Sequence, residues 1–126
     1  MIFVGLGFRQ AVTIKSFENV IHQVYHLTEL PGPINALATL DTKALDPALQ
    51  EFAAAKRITL IPVSLENLKR QITPTQSPAA QAAYGLGSIA EAAALFAAGN
   101  GSSLIFKRLV SDDKLATFAF AKGSFK

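Results

Sequence analysis

Short apolar runs alternate with helical patterns along this chain, and that alternation constrains its fold more than any other feature. The apolar runs at residues 2–6, 34–40 and 58–63 predict strands, and segments with helical periodicity separate them. Strands connected through helices lie parallel in one sheet, and the helices pack on its faces. Because 50% of the 126 residues are hydrophobic, the chain can bury one core, and we expect a single domain over residues 1–126.

Capping residues place the predicted helices. The strongest signal is the Ser-x-x-Glu pattern of Ser88 and Glu91, in which the two residues satisfy free backbone N–H groups at the start of a helix. Pro31-Gly32-Pro33 predicts a turn, and the polar segment 73–78, which contains two prolines, predicts an irregular loop. The predicted helices span residues 13–27, 46–56, 64–69, a short segment ending at residue 84, and 88–98.

Two further apolar runs follow near the end of the chain. Residues 104–106 and 115–121 flank the segment 107–114, which is the pattern of two strands joined by an antiparallel hairpin. Together with the three earlier strands, they predict an α/β fold with a mostly parallel sheet of about five strands that finishes in this hairpin.

Charge and composition exclude several classes of function. The chain has 12 Lys and Arg against 9 Asp and Glu, a formal net charge of +3, and no dense basic cluster of the kind that binds nucleic acid. It contains no cysteine, which excludes disulfides and thiolate chemistry. No apolar run approaches the roughly 20 residues that span a bilayer, and the N-terminus lacks a signal-peptide pattern. We therefore expect a cytoplasmic protein that binds neither nucleic acid nor membrane.

Cationic residues follow the predicted strands at their carboxyl ends, where open α/β sheets bind ligands. Arg9 follows the first strand, Lys43 the second, and Lys107 with Arg108 the fourth. A predicted helix N-terminus after two glycines adds free amides that attract anions. The set favours a ligand with several carboxylates or phosphates. The predicted binding residues are Gly5, Gly7, Arg9, Asp41, Thr42, Lys43, Gly85, Gly87, Ser88, Lys107 and Arg108.

Several of these residues also have a structural interpretation. Gly5-x-Gly7 lacks the third glycine of the dinucleotide fingerprint and is typical of a tight strand-to-helix turn. Asp41 and Lys43 could pair with each other. Ser88 is first of all a helix cap, so that any anion bound there would be additional. Lys107 and Arg108 also suit the solvated turn of a hairpin.

Two histidines have a spacing that can bind a metal. His22 and His26 are four residues apart on a predicted helix, as in some metal sites. At about 100° per residue they lie roughly opposite the apolar stripe of that helix, and no Asp, Glu or Cys is placed to complete a site. We expect solvent-facing histidines, no metal site and no cofactor.

Two sequence blocks carry a family resemblance. They are Ala38-Thr39-Leu40-Asp41-Thr42-Lys43 and Gly85-Leu86-Gly87-Ser88-Ile89-Ala90-Glu91-Ala92-Ala93-Ala94-Leu95. With segments 4–9, 73–78 and 106–108 in the same order, the chain resembles the CobE / CbiG C-terminal domain family of cobalamin biosynthesis, and most of all its free-standing CobE type. Phe8 departs from the pattern, since a small residue or Cys is expected there, and this excludes a thiol at that position.

The resemblance implies a three-layer α/β/α sandwich that binds or acts on an acidic corrin precursor. In the CbiG type the domain follows a larger N-terminal region, and the whole protein opens the ring-A δ-lactone of a cobalt-precorrin with release of acetaldehyde. This chain matches only the C-terminal type of domain, so assistance in lactone opening is implied and the full reaction is not. Other enzymes of the pathway are further candidate partners.

The implied ligand agrees with the residues. Corrin precursors carry acetate and propionate groups around a flat apolar ring, so the predicted cations would meet carboxylates, and Phe8 would cover the ring face. Asp41 and Glu91 are the candidate acid/base groups if chemistry occurs. Two alternatives remain: a non-catalytic carrier of the precorrin, which binds without turnover, and a phosphate- or nucleotide-binding module, which would prefer adenine nucleotides.

Overall fold

The computed structural model describes residues 2–27, 34–73, 76, 78–85 and 87–123, with side chains at all of these except 24–27, 79, 80, 107 and 108. A short 3₁₀ turn, Lys43–Leu45, lies between the second strand and the second helix. The elements in chain order are β1 (Ile2–Phe8), α1 (Ile14–Leu27), β2 (Ile34–Leu40), α2 (Pro47–Lys56), β3 (Thr59–Val63), α3 (Leu65–Lys69), α4 (Pro78–Tyr84), α5 (Ile89–Ala98), β4 (Ser103–Val110) and β5 (Ala116–Lys122).

The strands form one sheet in the order β3-β2-β1-β5-β4. β1, β2 and β3 pair in parallel, and β5 pairs antiparallel with both β1 and β4. β1 to β4 therefore run in one direction and β5 is reversed, which confirms the predicted mostly parallel sheet with its antiparallel hairpin. As a result, the carboxyl ends of β1 and β2 and the β4–β5 turn lie along the same edge.

Helices cover both faces of the sheet. On one face α1 and α2 pack on β1 and β5, and the buried Phe17 ring of α1 lies 5.5 Å from Phe52 and 6.2 Å from Phe118 between centroids. Burial of each such side chain contributes about 1.5–3 kcal/mol. On the other face α5 packs against β1, β2 and β5. The molecule is therefore the three-layer α/β/α sandwich that the resemblance implied.

Helix α5 approaches the sheet closely because both surfaces consist of small residues. Ala90 and Ala94 pack against Ala119 and Ala121 of β5, and all four are buried. Gly5 of β1 lies directly beneath the helix, where a Cβ would be 1.8 Å from the carbonyl oxygen of Ala90. The predicted tight turn at Gly5-x-Gly7 is wrong, because β1 continues to Phe8 and Gly5 is a packing residue inside the strand.

Strand β4 also differs from its prediction. It continues to Val110, and irregularities around Phe106 interrupt its pairing with β5. Lys107 and Arg108 therefore lie inside an edge strand, and the hairpin turn is residues 111–115. The prediction ended the strand at Phe106 because such irregularities break the alternation of apolar and polar residues on which it relied.

Some sequence predictions fall on positions of which the structure gives no description. Pro31-Gly32-Pro33 and residues 74, 75 and 77 of the predicted loop lie outside the described residues. His22 is exposed, as predicted, and the side chain of His26 is outside the described set. Within the described part of the chain, no three His, Cys, Asp or Glu residues come together as metal ligands.

Candidate functional site

A cleft opens at the carboxyl ends of β1 and β2. Its volume of about 810 Å³ lies within the roughly 300–1,000 Å³ of typical ligand pockets. The ends of β1 and α4, the start of α5, the 3₁₀ turn and the β4–β5 hairpin form its walls. The residues that line it are Gly7, Phe8, Arg9, Gln10, Lys43, Ala83, Tyr84, Ser88, Ile89, Val110, Lys114, Leu115 and Thr117.

The Phe8 ring at the end of β1 forms an apolar floor of the cleft, and it packs on Phe17 of α1. The Phe8 ring is only 9% exposed and meets Phe17 edge-on, with 5.4 Å between the ring centroids. At Gly7, the Thr117 hydroxyl of the neighbouring strand donates to the backbone carbonyl at 3.1 Å. A Cβ at Gly7 would lie 2.9 Å from that hydroxyl oxygen. The absence of a side chain at Gly7 therefore allows close packing against its neighbours, and the Phe8 ring beside it offers an apolar surface to a flat group.

The start of α5 forms the back of the cleft. Ser88 is 2% exposed, and its Oγ accepts a hydrogen bond from the Glu91 N–H at 3.2 Å. This confirms Ser88 as the predicted N-cap of the helix. Glu91 is fully buried and does not line the cleft, so its carboxylate is not positioned to contact a ligand there.

Lys43 connects three walls of the cleft. Its Nζ donates to the Phe8 carbonyl at 2.6 Å and lies 5.0 Å from the centre of the Phe8 ring and 6.0 Å from that of Tyr84. Burial lowers the pKa of this ammonium, and the negative charge of Asp46 partly opposes the shift. A backbone carbonyl and two aromatic rings thus lie close to the ammonium, and an anion in the cleft would add a counter-charge to that of Asp46.

Arg9 and Lys114 add two exposed cations to the lining of the cleft. The Arg9 N–H donates to the Leu115 carbonyl at 2.8 Å, which attaches the end of β1 to the hairpin. Lys114 occupies the left-handed region, with φ of 62°, in the hairpin turn. Three cations therefore line the cleft, and no Asp or Glu is among its described lining residues. This arrangement favours an anionic ligand.

The structure brings together only part of the predicted site. Gly7, Phe8, Arg9, Lys43 and Ser88 line the cleft. Several other predicted residues are described but do not line it; they are Gly5 beneath α5, the exposed Asp41 and Thr42, Gly85 and Gly87. Lys107 and Arg108 lie within β4, and their side chains are outside the described set.

The alternative of an Asp41–Lys43 ion pair is not observed. The Asp41 carboxylate instead accepts the Thr42 N–H at 2.8 Å, while Lys43 turns toward Phe8.

Sequence reasoning missed the hairpin wall of the cleft. Val110, Lys114, Leu115 and Thr117 line it because β5 pairs antiparallel with β1, placing Ala116 beside Phe8. The predicted antiparallel hairpin did contain a signal for this wall. A strand that pairs antiparallel with β1 begins at the edge where β1 ends, so the residues at its start lie beside the cleft. Lys114, just before the predicted strand at residue 115, is a lining cation that this reasoning could have identified.

These features define a class of protein, namely a three-layer α/β domain with a partly apolar cleft, lined by cations, at the carboxyl edge of its sheet. None of the helices in the described part of the chain combines the length and apolar composition that crossing a bilayer requires. A family model described as "Cobalamin synthesis G C-terminus" matches residues 2–121. The chain belongs to this family, which confirms the resemblance found in the sequence, and it is a protein of cobalamin biosynthesis.

Solved structures support the same assignment. CobE, described as a protein from the cobalamin (vitamin B12) biosynthetic pathway, superimposes with a TM-score of 0.81 at 25% identity over 96% of this chain and 89% of CobE. Cobalamin biosynthesis protein ChiG from Agrobacterium tumefaciens gives 0.73 at 28% identity over 99% of this chain and 100% of that one.

A more distant structure shares the fold. A cobalamin biosynthesis protein G homolog from Sulfolobus solfataricus gives a TM-score of 0.70 at 22% identity over 95% of this chain and 36% of that chain. The comparison with curated protein sequences gives no match.

Proposed function

We propose that the cleft binds an acidic corrin-ring precursor of cobalamin biosynthesis through its carboxylates. The observation that carries the proposal is the charge of the cleft, where Arg9, Lys43 and Lys114 are present without an acidic residue among the described lining. Each charge-assisted hydrogen bond from one of these cations to a carboxylate is worth about 1.5–3 kcal/mol.

The apolar part of the cleft supports a ring-shaped ligand. Phe8, Ile89, Val110 and Leu115 line it together with the cations, so a flat macrocycle can pack on apolar groups while its carboxylates contact the charged side chains. Membership in a cobalamin-synthesis family, and the titles of the CobE and ChiG structures, make a corrin precursor the acidic macrocycle to test first.

Binding is better supported than acid/base catalysis by carboxylates. Of the two predicted acid/base groups, Glu91 is fully buried in α5 and Asp41 is exposed, and neither is among the residues that line the cleft. A general acid or base must come within about 2.6–3.2 Å of the proton that it transfers. We therefore propose a role in holding the intermediate, alone or for a partner enzyme of the pathway.

An absorbance titration with hydrogenobyrinic acid tests the proposal. We expect saturable binding to the acid and much weaker binding to its methyl ester in the same solvent, because the ester removes the charges that the cations recognise. Equal affinity for the two would show that the cationic cleft does not determine binding.

Two further measurements separate the alternatives. Chromatography of the titrated mixture reports turnover, and a carrier leaves the ligand unaltered. Competition with ATP tests a phosphate-binding module, because displacement of hydrogenobyrinic acid by equimolar ATP would favour that function over the proposed one.

A further inference from the structure

Two carboxylates of the hairpin turn that contains Lys114 and Leu115 form hydrogen bonds with helix α1. Asp113 accepts the Ser16 hydroxyl on Oδ2 at 2.5 Å, and on Oδ1 the Ser111 hydroxyl at 2.5 Å and the Leu115 N–H at 3.0 Å. The Ser111 Oγ in turn accepts the Ala116 N–H at 3.1 Å. Asp113 therefore joins the start of α1 to both ends of the turn.

Its neighbour Asp112 makes a second, more exposed attachment. The Asp112 carboxylate accepts the amide groups of Asn19 at 3.0 Å and Gln23 at 3.2 Å, and its own N–H donates to the Asn19 Oδ1 at 2.8 Å. These partners lie on α1, outside the cleft. The two adjacent carboxylates thus have equal charge and different partners, which makes Asp112 a natural control.

We propose that Asp113 is a positioning residue, which fixes the turn so that Lys114 faces the ligand in the cleft. This inference rests on the proposed function of anion binding. Lys114 N–H donates to the Ser111 carbonyl at 2.9 Å and the residue has φ of 62°, a conformation that non-glycine residues seldom adopt unless neighbouring contacts hold it. Asp113 supplies those contacts through Ser111 and Leu115 on either side.

Electrostatics and positioning predict opposite effects when Asp113 is replaced. An exposed carboxylate near an anion-binding cleft repels an anionic ligand. If electrostatic repulsion were the only effect, removing the Asp113 carboxylate would strengthen binding. Loss of positioning lets Lys114 leave the cleft and weakens binding. Hydrogen bonds from Ser111, Ser16 and Leu115 lower the pKa of the Asp113 carboxyl, so it carries its charge at neutral pH and both effects apply.

Titration of hydrogenobyrinic acid into the full chain and its Asp113→Ala variant is the test. We expect the variant to bind about tenfold more weakly, the equivalent of one charge-assisted contact, while Asp112→Asn binds at least as tightly as the native chain. An amide oxygen can still accept from Asn19 or Gln23, so Asp112→Asn removes the charge and retains an acceptor.

A double-mutant cycle distinguishes an effect of Asp113 through Lys114 from a general loss of stability. If Asp113 acts through Lys114, then Asp113→Ala lowers affinity by less than about twofold in a Lys114→Met background. Unchanged or tighter binding by Asp113→Ala, or an equal loss in both backgrounds, would overturn the inference. Failure of the native chain to bind hydrogenobyrinic acid would instead contradict the proposed function itself.

Discussion

A methyl group at position 5 would point into helix α5. The position of a Cβ there is 1.8 Å from the Ala90 carbonyl oxygen and 2.5 Å from the Ala94 nitrogen, both of which are backbone atoms that cannot rotate away. We expect Gly5→Ala to lower the free energy of unfolding by about 3 kcal/mol or more, at or above the usual range for overpacking. Urea denaturation measures this change.

Gly7→Ala is the matched control for this prediction. The nearest atom to a Cβ at Gly7 is the hydroxyl oxygen of Thr117, at 2.9 Å, which belongs to a side chain that can change its rotamer. Gly7→Ala should therefore destabilise less than Gly5→Ala. Equal losses for the two would mean that α5 can move away from the sheet.

Gly5 also shows a limit of predicting structure from a local sequence pattern. Gly5-x-Gly7 has the composition of a turn, and the pattern alone does not distinguish a turn from a strand over which a helix passes. The alanines of α5 were the complementary signal, because small residues on both surfaces allow backbones to approach. No local sequence pattern specifies which strand α5 crosses, so the packing role of Gly5 could be seen only in the structure.

Lys43 should give the site a distinctive pH dependence. Because burial lowers the pKa of its ammonium, Lys43 loses its proton at a lower pH than an exposed lysine would. Affinity for hydrogenobyrinic acid should therefore decline as the pH rises through this lowered pKa, since a neutral amine no longer pairs with a carboxylate. Titrations between about pH 7 and pH 10.5 measure the profile.

Lys43→Arg is the control for that profile. A guanidinium stays charged throughout this range, so the variant's affinity should change less with pH, whatever its value at neutral pH. Lys43→Met should bind about tenfold more weakly near pH 7 and show the same reduced slope. Parallel profiles for the native chain and Lys43→Arg would exclude Lys43 as the titrating group.

At the scale of elements, α5 depends on its cap. Ser88 accepts the Glu91 N–H at a helix start that is buried, so water cannot easily replace this bond. We expect Ser88→Ala to lower the free energy of unfolding by about 0.5–2 kcal/mol and Ser88→Asp to restore part of it. Thermal or urea unfolding measures both, and a Ser88→Ala variant as stable as the native chain would contradict this role.

The elements themselves were largely predictable, and their arrangement was not. Helix and strand periods, together with caps such as Asp46 and Ser88, gave the helices and the first three strands within a few residues. The pairing of Phe8 with Ala116 joins residues more than a hundred positions apart, and no local pattern specifies it. This long-range pairing builds the hairpin wall of the cleft, which explains why Lys114 was missed.

At the scale of the whole molecule, the placement of charge should matter more than its total. The chain has a formal net charge of only +3, whereas Arg9, Lys43 and Lys114 converge on one cleft. Focused charge acts on a ligand at contact distance, while distant charges are screened within about 10 Å at 0.1 M salt. Substitutions of equal charge at different places can therefore separate local recognition from general attraction.

Two double variants make this comparison. Arg9→Met with Lys114→Met removes two charges from the cleft, and Lys15→Met with Lys56→Met removes two from a separate surface groove beside α1. We expect the first pair to weaken binding of hydrogenobyrinic acid about a hundredfold, the sum of two charge-assisted contacts. The second pair should weaken it by less than about twofold at 0.1 M salt.

Raising the salt concentration tests the same idea in the native chain. Affinity should fall as salt rises from about 0.05 M to 0.5 M, and the fall should be shallower in the Arg9 and Lys114 double variant, which has fewer charges to screen. The Lys15 and Lys56 double variant should keep the native slope. If both double variants lose affinity and slope equally, net charge attracts the ligand, and the cleft is not where its carboxylates bind.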